Sequence, residues 1–137
     1  MTYPRTSWMA RTTLAVSLLA LSAAPAWAQA GAACEPHSSA TASHNACAVQ
    51  SFQQTDTAHN ILYSDVMRAL SAHERPALRK DQNQWIRLRA SSCKLRHAAD
   101  EPQADWPQRL HECLTQATLQ RRQVLLHWLH HGQAPDR

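Results

Sequence analysis

Gln82, Trp85, Arg89 and Cys93 follow one another at spacings of three, four and four residues. Side chains at these spacings lie on one face of an α-helix. An indole and a sulfur on the same face predict a helix that is buried on one side and cross-linked to a neighbouring element. The chain is therefore expected to form a small helical domain held by its cysteines.

The first 28 residues have the three regions of a secretory signal peptide. Residues 1–11 contain two arginines and no acidic residue, residues 12–24 are apolar, and residues 26–28 read Ala-Trp-Ala, a small-residue cleavage site. A second possible site, Ala-Gln-Ala, covers residues 28–30. The alternative is a retained anchor, but the apolar run is shorter than the roughly 20 residues that a membrane span needs. We expect removal of residues 1–28 and a periplasmic or secreted product.

Cleavage after residue 28 leaves one domain of modest charge. The remaining residues include 12 arginines and lysines against 10 acidic residues, so the formal charge falls from +4 to +2. No run of basic residues with interleaved aromatics occurs, which argues against a nucleic-acid partner. We also expect no membrane partner for the mature form.

The four cysteines predict two disulfides. An even number of cysteines in an exported chain indicates a disulfide framework. The alternative is a zinc site, but the spacings between successive cysteines are 13, 46 and 20 residues, and no Cys-x-x-Cys pair is present. The oxidising compartment also favours disulfides.

Residues 29–45 show no periodicity and are predicted to be an extended lead-in. From residue 46 an amphipathic helix of about 25 residues is predicted by apolar positions three or four apart. Ser71 and Glu74 have the spacing of a capping box, and Pro76 fits only the first turn of a helix, so the break is expected at residues 71–75. The inward positions of this first helix are Phe52, His59, Tyr63, Met67 (or Val66) and Leu70.

Two further helices complete the predicted fold. The second is expected over residues 75–98. The third is expected from Pro107, with Asp105 as its cap, to His131, followed by Gly132 as a typical residue just past a helix end. Residues 133–137 are expected to be a frayed tail. The prediction is an all-α fold: an antiparallel three-helix bundle over residues 46–132, cross-linked by two disulfides.

This topology places three cysteines at one end of the bundle. Cys47 would open the first helix, Cys93 lies near the end of the second, and Cys113 lies in the second turn of the third. Four cysteines permit three pairings. We favour Cys47–Cys93 with Cys34–Cys113, and the other two pairings stay open.

The ordered set of motifs resembles the exported bacterial LprI-type family, described as lysozyme-inhibitor LprI-like. The resemblance covers about residues 34–129 and implies a binding protein without cofactor whose partner is lysozyme. Two departures stand out: His59 replaces a usual apolar residue, and the loop between Cys93 and Cys113 is short and lacks a Gly-Gly-Ser segment. The matching residues are Cys34, Cys47, Asp56, Asn60, Tyr63, Gln82, Trp85, Arg89, Cys93, Cys113, Thr118 and Arg121.

Two roles are open for the polar members of this set. They could form a site for a partner, or a buried network that fixes the register of the helices. We favour the network, because buried charges must be paired. Asp56 and Arg89 are the pair we expect first.

An alternative function is metal binding at the end of the third helix. His127, His130 and His131 have the i, i+3, i+4 spacing at which imidazoles can chelate Cu(II) or Zn(II). A solvated helix end explains the same residues, since histidine is favourable near a helix C-terminus. No serine motif and no carboxylate pair suggests catalysis, so we expect no enzyme activity.

Overall fold

The computed structural model describes residues 31–136, and the predicted signal peptide lies outside these residues. Within them the chain forms α1 (Thr41–Ala69), α2 (Arg75–Arg96), a short 3-10 helix (Ala98–Asp100) and α3 (Trp106–His131). No strand occurs in this part of the chain, and the predicted all-α three-helix bundle is confirmed. None of the helices in the described range is long and apolar enough to cross a membrane.

The connection between α1 and α2 follows the predicted capping box. The Ser71 backbone N–H donates to Glu74 Oε2 at 2.8 Å, and the Glu74 backbone N–H donates to Ser71 Oγ at 3.4 Å. Hydrogen bonds from the Ser71 side chain and from its backbone lower the pKa of Glu74. Arg75 Nε donates to the Leu70 carbonyl at 3.0 Å and so covers the end of α1. The turn thus ends one helix and begins the next.

Helix α1 begins earlier than predicted, at Thr41 rather than near residue 46. The arm before it folds back on the first turns of the helix. The Glu35 N–H donates to Ser43 Oγ at 2.8 Å, and Ser43 Oγ donates to the Glu35 carbonyl at 3.0 Å. His44 Nε2 lies 2.8 Å from the Ser38 carbonyl. These hydrogen bonds stabilise the helical conformation of residues 41–45, so α1 extends toward the N-terminus beyond Ala46.

The two disulfides are present, but the favoured pairing was wrong. Cys34 is bonded to Cys47, with their Cα atoms 4.5 Å apart, and Cys93 is bonded to Cys113, with Cα atoms 5.8 Å apart. The returning arm brings Cys34 to the second turn of α1 rather than across to α3. The short α2–α3 connection keeps Cys93 beside Cys113. One cystine therefore fixes the arm, and the other joins α2 to α3.

The start of α3 is capped from another helix. Asp105 precedes α3, but its side chain makes no cap hydrogen bond and instead accepts from Arg109 Nε at 2.9 Å. The predicted capping role of Asp105 was therefore wrong. Asn45 of α1 supplies the cap: its Oδ1 accepts from the Gln108 N–H at 3.1 Å, and its Nδ2 donates to the Ala104 carbonyl at 2.8 Å. The other end of α3 agrees with the prediction, because Gly132 has the left-handed φ of +67°.

The buried apolar side chains form two separate clusters. The larger joins the end of α1, the start of α2 and the end of α3, and the smaller lies around the Cys93–Cys113 cystine. On α2 and α3, the buried positions between the two clusters are polar: Gln82, Thr118 and Arg121. The larger cluster contains Val66, Leu70, Leu78, Leu125 and Trp128, and the smaller contains Cys93, Leu110 and Cys113.

Candidate functional site

The polar motif residues meet in the bundle interior, between the two apolar clusters. We call this set the polar layer. Each of the three helices contributes to it, and two arginines at its centre are each paired with one carboxylate. Its members are Asp56 and His59 of α1, Asp81, Gln82 and Arg89 of α2, and Thr118 and Arg121 of α3.

Arg89 connects α2 to both other helices. Its Nη1 donates to Asp56 Oδ1 at 2.6 Å and to Thr118 Oγ1 at 2.8 Å. The Thr118 hydroxyl in turn donates to the Leu114 carbonyl at 2.7 Å. Asn60 lies at the outer edge, where its Nδ2 donates to Asp56 Oδ2 at 3.3 Å. The expected pair between Asp56 and Arg89 is thus present, with the arginine side chain only 11% exposed.

Arg121 makes the second ion pair, with a carboxylate that the sequence motifs did not indicate. Its Nη2 donates to Asp81 Oδ2 at 2.7 Å, and its Nε donates to Gln82 Oε1 at 3.2 Å. Trp128 Nε1 donates to the same Asp81 oxygen at 3.0 Å. One signal was available, since Asp81 is the single acidic residue of α2 and a buried Arg121 requires an anion.

Trp85 lies against both arginines. The Arg89 guanidinium carbon is 4.6 Å from the indole centroid, and that of Arg121 is 5.4 Å away. Cations at these distances are attracted by the negative face of an indole. The His59 ring contacts the same indole, with centroids 4.8 Å apart. Trp85 thus stabilises two cations at the centre of the bundle, in addition to its apolar packing.

His59 is held as a neutral ring. Arg121 can only donate, so Gln82 Oε1 must accept from it and Gln82 Nε2 must face His59 Nε2, 2.7 Å away. His59 Nε2 therefore accepts and its proton lies on Nδ1, which has no hydrogen-bond partner within the described residues. Burial, followed by the charge of Arg89, lowers the pKa of His59 to about 4, and the charge of Asp56 opposes the shift.

Most members of the polar layer are inaccessible to a partner. Gln82, Thr118 and Arg121 are at most 6% exposed, as is His59. Tyr63 does not join the layer and instead packs on the larger apolar cluster. Removing one partner of a buried ion pair typically costs about 3–5 kcal/mol, so the buried Arg121 and its pair with Asp81 have a large structural effect.

The C-terminal histidines do not converge. The rings of His127 and His131 lie 4.3 Å apart, whereas the His130 and His131 centroids are 6.5 Å apart. Within residues 31–136, no group of three or more His, Cys, Asp or Glu side chains is arranged to hold a metal ion. The geometry gives no support to the alternative of a metal-binding protein.

Residues 33–125 match the family described as lysozyme inhibitor LprI. The chain belongs to the LprI family. The match begins beside Cys34 and includes both cystines and the whole polar layer, so it covers the described fold up to the last two turns of α3. No curated protein and no solved structure gives a significant match to this LprI-family chain.

Proposed function

We propose that this LprI-family chain is an exported, non-enzymatic binding protein that inhibits a lysozyme. The observation that carries the proposal is the family match over residues 33–125. The two cystines support a periplasmic or secreted location, because disulfides persist in oxidising compartments. The half-buried carboxylates Asp56 and Asp81 are each held by an arginine, which supports a structural role for them rather than a catalytic one.

The contact with lysozyme would have to come from the bundle surface, because every motif residue except the exposed Asn60 is buried or half-buried. Common lysozymes are cationic, and complementary charge speeds association and selects partners. At the α2–α3 end of the bundle, the connecting residues 97–105 include three acidic residues and no arginine or lysine. Asp100 is bonded to His97 and Asp105 to Arg109, whereas Glu101 is exposed and makes no side-chain ion pair among the described residues. Glu112 is exposed in the second turn of α3. We therefore propose this end as the surface that approaches the enzyme.

The test measures lysozyme activity and binding together. The mature, oxidised protein is added in excess to lysozymes of several classes in a cell-wall lysis assay, and complex formation is measured by calorimetry. Inhibition of one class, with a matching heat of binding, is the expected result. Unchanged lysis by every class and no heat of binding would contradict the proposal.

Charge variants test the proposed surface. Replacing Glu101 and Glu112 by lysine should slow association with a cationic lysozyme by about tenfold, since steering depends on the charge near the contact. Asp65→Lys with Asp136→Lys is the matched control, because it changes the net charge by the same amount at two exposed carboxylates outside the α2–α3 end. An equal loss in the control would show that net charge, and not the α2–α3 end, controls association.

A further inference from the structure

The charge of the bundle is concentrated on α2. This helix carries seven arginines and lysines against one acidic residue. By contrast, α1 carries one basic and two acidic residues, and α3 carries three basic and one acidic. The small net charge of the mature chain therefore conceals one strongly cationic helix.

Three of the α2 cations form a line on its outer side. Lys80, Arg87 and Lys94 are all exposed and are separated by seven residues each. Seven residues are close to two helical turns, so these side chains project from one stripe at intervals of about 10 Å. Within residues 31–136, none of the three forms an ion pair. They are free to meet an external anion.

Two leucines lie beside this line of cations. Leu88 and Leu95 follow Arg87 and Lys94 in the sequence and are 54% and 79% exposed. Their spacing of seven residues places them on one stripe, parallel to the cations. The bundle leaves these large apolar side chains in water, so their transfer to an apolar environment would be favourable. We call the five residues the α2 outer surface.

We propose that the α2 outer surface docks on an anionic phospholipid membrane, with the cations on the headgroups and the leucines in the interfacial region. A helix that combines basic residues with exposed apolar ones is typical of membrane-surface binding. Each stripe drifts by only about 20° per seven residues, and the two stripes lie about 100° apart around the helix, so the long basic side chains and the leucines can reach one planar surface together. Nucleic acid would use the cations but not the leucines. The sequence predicted no membrane partner for the mature form, and the outer surface of α2 is the reason for proposing one.

The experiment is co-sedimentation of the mature, oxidised protein with lipid vesicles. Vesicles that contain phosphatidylglycerol should bind the protein at low salt, and vesicles of phosphatidylcholine alone should not. Raising the salt should weaken binding by about tenfold or more, because screening acts on exposed charges. No binding to the anionic vesicles at low salt would overturn the proposal, and so would equal binding to both kinds of vesicle.

Two variants separate the contributions of charge and apolar contact. Replacing Lys80, Arg87 and Lys94 by glutamine should reduce binding to anionic vesicles at least about tenfold, since each basic residue near the surface contributes. Leu88→Ser with Leu95→Ser should also weaken binding by about tenfold. Leu119→Ser is the matched control, because Leu119 is 49% exposed on α3 and should leave binding unchanged.

All of these positions are exposed, so circular dichroism should show a native helix content in every variant. Unchanged binding in the charge variant, or in the leucine variant, would overturn the proposal. A preference for acidic protein or for nucleic acid over anionic vesicles would overturn it as well. The vesicle experiment and the lysozyme experiment test separate claims. A lysis assay without vesicles reports only on lysozyme inhibition, so either proposal can fail while the other holds.

Discussion

Acid should destabilise this bundle through one side chain, His59. The ring is 5% exposed, its Nε2 accepts from Gln82, and its pKa is lowered to about 4 from the 6.5 of an unperturbed histidine. Burial is the main cause, because it removes water from the charged form, and Arg89 adds repulsion. Protonation would also set an N–H of the ring against the Gln82 amide hydrogens, which Arg121 holds in place.

The sign and size of the effect follow from the two pKa values. The folded-state pKa of His59 lies below the unfolded one, so the unfolded chain binds the extra proton between about pH 6.5 and pH 4. The contribution of His59 to the free energy of unfolding is therefore fully present above about pH 6.5 and is lost as the pH decreases toward about 4. One pKa unit corresponds to ~1.4 kcal/mol, so the full loss is about 3 kcal/mol, of which about 2 kcal/mol is lost by pH 5.

The assay is denaturant unfolding at pH 7.5 and pH 5, with the wild type beside His59→Leu. The variant removes the titrating group but leaves a Gln82 donor unpaired, so the informative quantity is the difference between the two pH values and not the stability at either one. We expect the wild type to lose about 2 kcal/mol more than the variant on acidification. His130→Gln, at an exposed histidine, should behave as the wild type. Equal pH dependence in wild type and His59→Leu would refute the reasoning.

Three further predictions concern contacts that join the helices. Arg89→Met should cost about 3 kcal/mol in unfolding free energy, because it leaves Asp56 without its partner, and the cost should shrink when Asp56 is changed to leucine as well. Asn45→Ala should cost about 1–2 kcal/mol by removing the cap of α3, as thermal or denaturant unfolding would show. Replacing Cys93 and Cys113 together by alanine should cost about 3 kcal/mol, and peptide mapping of the oxidised wild type should recover the same two residues in one linked pair.

The α1–α2 break and the end of α3 could be predicted because local chemistry sets these limits. The Ser71–Glu74 box and Gly132 act through neighbours three or four residues away, and both behave in the structure as the sequence indicates. Three-to-four-residue apolar spacing likewise identifies the inward faces without any knowledge of the partner helix. The Asp56–Arg89 pair could be predicted because both residues belong to the polar motif set and a buried charge requires a partner.

The remaining features depend on where distant segments meet. The disulfide pairing is set by the arm, which turns back because Glu35 bonds to Ser43, and no periodicity marks that turn. The cap of α3 comes from Asn45, 63 residues before the N–H that it accepts from, so the nearer Asp105 was chosen wrongly. Asp81 was missed because it lies beside Gln82 at the edge of the predicted stripe and becomes interior only through Arg121.

The separation of the two apolar clusters by the polar layer has a consequence for local opening of the native state. The cluster around Cys93 and Cys113 is small, so its protection against amide hydrogen exchange depends strongly on the cystine that joins α2 to α3. Reduction should let backbone amides near Leu110 exchange through local fraying, while those near Val66 and Leu125, on the far side of the layer, exchange only when the whole bundle unfolds. The bundle thus has one redox-sensitive end and one end whose protection is set by packing alone.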